Sequence, residues 1–264
     1  MVKFRHTIFL CCRKGVNMSQ SMSKNENALW SSSLFLAILG YFLDISYLYF
    51  LIYWIVSLLC VGNAKRLYSE KYHHISTIVR RSLYIIPYLI PVIGNIKFTF
   101  SLSTIIWTLL GLIIGFLFVA PNISNWRIAL SYDYLVMTCS QGKFYYIMGI
   151  YTVVGGAIAE ELFFRYFFLS LFETSFLPII ILNIILSSLL FMLAHLGTKW
   201  ADGFSNFDIA VQLLFGLISA LLFIFSGSII PSIVAHLTYN SPQIIQNIRK
   251  LFIVSLEPQN YNQE

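Results

Sequence analysis

The chain has 264 residues, of which 58% are hydrophobic and only 11% charged, with a mean hydropathy of +0.77. A soluble domain of this length needs about a quarter of its residues charged to cover its surface, so this composition excludes one and points to a helical membrane protein. The net charge of +6 sits in short segments beside apolar runs, where it sets topology; a nucleic-acid partner is not expected.

Lys3, Arg5, Arg13, Lys14 and Lys24 precede the first apolar run. No long apolar stretch ending in a small-residue cleavage site follows them, so no cleaved signal is expected. Part of the first twenty residues, before Met18 and Met22, reads as a dispensable extension. Cys11, Cys12, Cys60 and Cys139 show no CxxC spacing and are expected as free thiols. Adjacent Cys11 and Cys12 could also be acylated.

Leu29 to Val61 is almost continuously apolar. As one helix it would be about 50 Å long, against a bilayer core of about 30 Å. Basic residues on both flanks favour a helical hairpin turning near Asp44 and Ser46; one tilted helix is the alternative. After Lys65, Arg66, Lys71, Arg80 and Arg81, the run from Ser82 to Ile96 contains Pro87 and Pro91 and predicts a kinked span, with Lys97 at the outer turn. Phe98 to Ala120 is the cleanest span, and a polar connection from Pro121 to Lys143 follows. Phe144 to Phe172, Phe176 to Leu196, Ile209 to Phe225, and a last helix from Ile229 to near Arg249 complete the set. The expectation is an all-α, polytopic protein of about eight transmembrane helices with both termini cytoplasmic. It divides into an extension (1–28), N-terminal helices (29–142), a catalytic core with an intramembrane cavity (143–245) and a polar tail (246–264).

Ionisable side chains inside membrane helices are functional candidates by default. Glu160-Glu161-x-x-x-Arg165 places Glu161 and Arg165 four residues apart, acid first, the favourable order for an ion pair. Glu160 then lies about 100° around the helix. Glu161 and Arg165 are assigned to structure and Glu160 to chemistry. Phe191-x-x-x-His195 closes one span, and His236-x-x-x-Asn240 sets imidazole and carboxamide on one face of another. One carboxylate, two imidazoles and an amide suit hydrolysis. Glu160 with His195 could deprotonate a water while His236 and Asn240 meet the developing oxyanion. Alternatively the Glu and His side chains could ligate zinc. The plainer readings are a packed ion network, core histidines and an Asn240 helix cap.

In this order, on successive apolar segments, EExxxR, FxxxH and HxxxN resemble the CPBP family of CAAX proteases and bacteriocin-processing proteins, also called Abi. The resemblance covers residues 143–245. It implies that Glu160 and His195 activate water and that His236 and Asn240 stabilise the oxyanion, with Glu161, Arg165 and Phe191 supporting the site. It implies a peptide or membrane-protein substrate within the bilayer, and it leaves the metal open. A scaffold or bacteriocin-immunity protein is the second reading; a transporter built on Glu160 would need matching broken helices in two halves.

Depth gives one further expectation. A straight helix from Lys143 would carry Glu160 about 25 Å, to the side opposite His195 and Asn240. Phe144 to Val154 is therefore expected along the interface, with the span starting near Gly155-Gly156 and the site opening to the cytoplasmic leaflet.

Overall fold

The computed structural model describes residues 19–94, 96, 100–172, 176–196 and 206–256. The basic residues before Met18, Cys11, Cys12, Lys97 and residues 197–205 lie outside the described residues. The described chain is helical, without strands.

Helices α1 (Ser19–Phe42) and α2 (Ser46–Asn63) form the expected hairpin. At its turn the Asp44 carboxylate accepts from the Ser46 N–H at 2.7 Å, which holds that carboxyl below its ordinary pKa. α3 (His73–Ser82) and α4 (Ile86–Leu89) follow, with a 3₁₀ turn over Ile90–Val92. The kinked span expected from Ser82 to Ile96 is therefore not one helix. Pro87 and Pro91 each stand in the first turn of a new short element, because proline fits a helix start and breaks a helix interior. Buried Tyr88 and Val92 pin this segment against the core.

α5 (Leu102–Val119) is capped by Ser101, whose hydroxyl accepts from the Thr104 N–H at 3.1 Å. The connection after it contains α6 (Ile123–Ala129) and α7 (Tyr132–Met137). α8 (Lys143–Glu161) continues through a π-helical turn, Leu162–Phe167, into α9 (Phe168–Ser170). α10 (Leu177–Leu196), α11 (Asn206–Ser226), α12 (Ile230–Tyr239) and α13 (Ser241–Leu256) complete the chain. The last helix expected over Ile229 to Arg249 is thus two helices meeting at Asn240.

Five helical units are long and apolar enough to cross a membrane: Ser46–Asn63, Leu102–Ala129, Lys143–Ser170, Leu177–His195 and Asn206–Ser226. The apolar part of α1, Leu29–Phe42, is shorter. This is a multi-pass helical membrane protein, with fewer full-length spans among the described residues than the eight expected. Cys60 and Cys139 are free thiols.

The expected break at Gly155-Gly156 is also corrected. α8 runs unbroken through both glycines. A Cβ at Gly155 would meet Ile85 Cδ1 at 2.8 Å, so its missing side chain serves close packing and not a kink. The irregularity comes later, in the π turn. There and in the following turn Phe163, Phe164, Phe167 and Phe168 are all buried, since residues at i, i+1, i+4 and i+5 fall on one side of a helix. They meet α2 through Phe50, whose ring lies 4.9 Å from Phe163 and 4.6 Å from Phe168. The Ser187 hydroxyl on α10 donates to the Phe164 carbonyl at 2.6 Å.

α12 is held most closely by α5. Gly111 and Gly115, one turn apart, let the backbones touch; a Cβ at Gly115 would stand 2.6 Å from the Ala235 carbonyl oxygen. Gly115→Leu must push α12 away and is expected to destabilise the protein by about 1–3 kcal/mol. The readout is the thermal midpoint in detergent; an unchanged midpoint would show that the helices separate without cost.

Candidate active site

The π turn, α10, α11 and α12 surround the two adjacent glutamates. Glu161 and Arg165 are fully buried, with Glu161 Oε2 3.3 Å from Arg165 Nε. That Nε is not aligned for a hydrogen bond, and neither it nor Nη1 has a hydrogen-bond partner. The guanidinium is instead held by charge, by Nη2 donating to the Gly216 carbonyl at 3.3 Å, and by the Phe191 ring 4.3 Å from its central carbon.

Glu161 does more than pair with Arg165. Its Oε2 accepts from the Ser219 hydroxyl at 2.5 Å, and its Oε1 lies 2.8 Å from His236 Nδ1. A carboxylate paired with a guanidinium is an acceptor, so His236 Nδ1 carries the proton and donates. The other ring nitrogen, Nε2, faces Glu160 Oε2 at 3.8 Å.

His195 is set in the same sense by a different partner. Its Nδ1 is 2.9 Å from the Phe191 carbonyl one turn earlier in α10. A carbonyl only accepts, so this nitrogen donates, and Nε2 of a neutral ring is an acceptor. It too stands 3.8 Å from Glu160 Oε2. The Phe191 ring lies 4.6 Å from His195 and 5.8 Å from His236, filling the space behind both imidazoles.

One oxygen of Glu160 is thus shared by two imidazole nitrogens, too far for direct hydrogen bonds. Polar contacts longer than about 3.5 Å leave room for a bridging water. Glu160 and His195 are 21% and 22% exposed, whereas His236 is only 4% exposed; a small molecule can reach the first two. Asn240 stands one turn beyond His236, at the junction of α12 and α13. Its N–H donates to the His236 carbonyl at 2.9 Å, and its φ of −83° is helical and not the left-handed cap conformation. Among the described residues no hydrogen bond joins its carboxamide to Glu160, His195 or His236.

The carboxylate and two imidazoles are donors that zinc accepts. Zinc bonds of about 2.0–2.2 Å set neighbouring ligand atoms roughly 3.3 Å apart in a tetrahedron, closer than the 3.8 Å found here. Among the described residues no group of three or more His, Cys, Asp or Glu could hold a metal ion. As arranged, these residues do not fit zinc.

An apolar cavity of about 390 Å³ lies between α5 and α11, lined by Phe118, Val211, Leu214 and Tyr239 among others. It includes none of Glu160, His195 or His236.

A family model described as type II CAAX prenyl endopeptidase Rce1-like matches residues 142–242, the stretch that runs from the start of α8 to just past Asn240. The match covers well under half of the chain and supports the CPBP/CAAX protease family for this segment. No curated protein and no solved structure matches the chain. The family is one of CAAX-type intramembrane proteases, and its matched segment contains every residue of the EExxxR, FxxxH and HxxxN motifs. Ser219 and Gly216 are the contributors that the motifs did not reveal. A serine or a glycine in an apolar helix is ordinary, and neither carries a signal until its neighbour across the interface is known.

Proposed function

We propose that this chain is an intramembrane endopeptidase of the CPBP/CAAX protease family that hydrolyses a peptide bond near the cytoplasmic leaflet. The observation that carries the reading is the shared position of Glu160 Oε2, 3.8 Å from both His195 Nε2 and His236 Nε2. A water in that gap loses a proton to Glu160, with His195 Nε2 accepting its second hydrogen bond, and attacks the scissile carbonyl carbon. The oxyanion is met by His236 and Asn240. His236 Nδ1–H is committed to Glu161, so Nε2 donates only from the imidazolium form, whose charge Glu161 opposes. Collapse of the tetrahedral intermediate breaks the C–N bond. The proton taken from water passes to the leaving amine, leaving a carboxylic acid and an amine.

CAAX-type peptides are the first substrates to test, prenylated and unprenylated, with bacteriocin leaders as the second class. Membranes containing the wild-type chain are expected to consume a peptide that accumulates when Glu160→Gln replaces it. Identical peptide profiles from the two membranes, together with no cleavage of either substrate class, would leave the scaffold reading in its place.

The reading also sets a topology. The segment between α10 and α11 should face the cytoplasm and the segment between α9 and α10 the outside. An impermeant thiol reagent on intact cells should label Ser175→Cys and spare Thr198→Cys. The opposite pattern would move the site to the other leaflet; labelling of both would mean that α10 does not span.

A further inference from the structure

We propose that α3 is an in-plane anchor that binds the headgroups of anionic phospholipids, a role independent of the catalytic reading. Residues 64–82 hold five basic residues and one acid, Glu70. Within α3, Ile75, Ile78 and Val79 recur at i, i+3 and i+4 and so share one face. That face is turned outward: the three are 63%, 45% and 41% exposed. On the polar side Ser76 is buried, its hydroxyl donating to the carbonyls of Ser69 and His73, and Thr77, Arg80 and Arg81 are half-buried, while His73 at the helix start is exposed. A helix on a water-exposed surface shows the reverse order.

The level of α3 decides what covers the apolar face. It is tied to the beginning of the Lys143–Ser170 span, with His74 4.4 Å from the Phe144 ring and the Ser82 and Tyr151 hydroxyls 3.0 Å apart. It also follows the end of the α2 span by nine residues, 64–72. A helix fixed where two spans end lies at the boundary of hydrocarbon and headgroups, and its outward isoleucines enter the acyl region. The cations then stand at headgroup level. Arg66 and Lys71 are exposed. Arg80 lies against the Tyr68 ring, 5.4 Å from its centroid, and its Nε is buried without a hydrogen-bond partner. Phosphate oxygens of the headgroups can reach the exposed Arg66 and Lys71 cations.

The test uses the full chain in nanodiscs of phosphatidylcholine containing phosphatidylglycerol. Lipid retained through purification is counted by native mass spectrometry. Arg66→Gln/Lys71→Gln changes two exposed side chains and is expected to lower phosphatidylglycerol retention by about five-fold for each charge removed. Phosphatidylcholine retention should not change. In parallel, a nitroxide on Ile78→Cys, with the native cysteines replaced by alanine, should report a position about 5–10 Å below the phosphates. Equal retention by variant and wild type overturns the assignment. So does a label accessible to aqueous relaxation agents, which would make this face a docking surface for a soluble protein.

Discussion

Glu160→Gln is expected to lower peptide-bond cleavage by about 10²–10⁴-fold while insertion, yield and thermal midpoint stay at the wild-type level. The two halves of this expectation have different causes. Activity falls because an amide cannot take a proton from water, and because the oxygen that faces two imidazoles loses its charge. Stability holds because Glu160, unlike its neighbour, is 21% exposed and stands 3.8 Å from the two imidazole nitrogens nearest it, so removing its charge strands no buried charge. Cleavage assays on reconstituted protein, with the thermal midpoint measured on the same preparation, separate the two. Wild-type turnover by a well-folded Glu160→Gln protein would sink the mechanism.

The adjacent residue should behave in the opposite way. Glu161→Ala removes at one stroke the partner of Arg165, the acceptor of Ser219 and the acceptor of His236 Nδ1. Breaking a buried ion pair by deleting one member costs about 3–5 kcal/mol, because the other charge is left without compensation. Arg165→Met should cost a similar amount. The double variant Glu161→Gln/Arg165→Met, which retains side-chain volume and strands no charge, is expected to be more stable than either Glu161→Ala or Arg165→Met. Denaturation midpoints of the wild type, Glu161→Gln, Arg165→Met and their double variant form the cycle; strictly additive losses would argue against the pair acting as a unit. Activity should fall in the Glu161 variants as well, since the carboxylate that orients His236 is gone.

These two adjacent residues also show where reading the chain stops. The i, i+4 spacing of Glu161 and Arg165 identifies the pair, because helical geometry alone brings such side chains together. It also turns Glu160 to another direction. It says nothing of what lies in that direction. That Glu161 is shared with His236, 75 residues later, follows from the packing of α12 on the end of α8, and no local spacing encodes it.

What the sequence determines by itself is the class of molecule and the chemical parts: an all-helical membrane chain and the motif residues from Glu160 to Asn240, while the choice of a hairpin at Asp44 over one tilted helix is made by the structure. Composition and i, i+4 geometry suffice for these. Only the tertiary structure decides how the apolar runs divide. Pro87 and Pro91 begin short elements and do not kink a span, the helix expected to the end of the core breaks at Asn240, and Gly155-Gly156 stays helical while the next turn widens. The physical reason is that hydropathy separates water from not-water. Lipid and protein interior are equally apolar, so the pattern in a membrane helix hardly marks which face meets a neighbour. The contacts that single out one face, such as Gly115 on Ala235 and Phe50 on Phe163, come into being only when the helices pack.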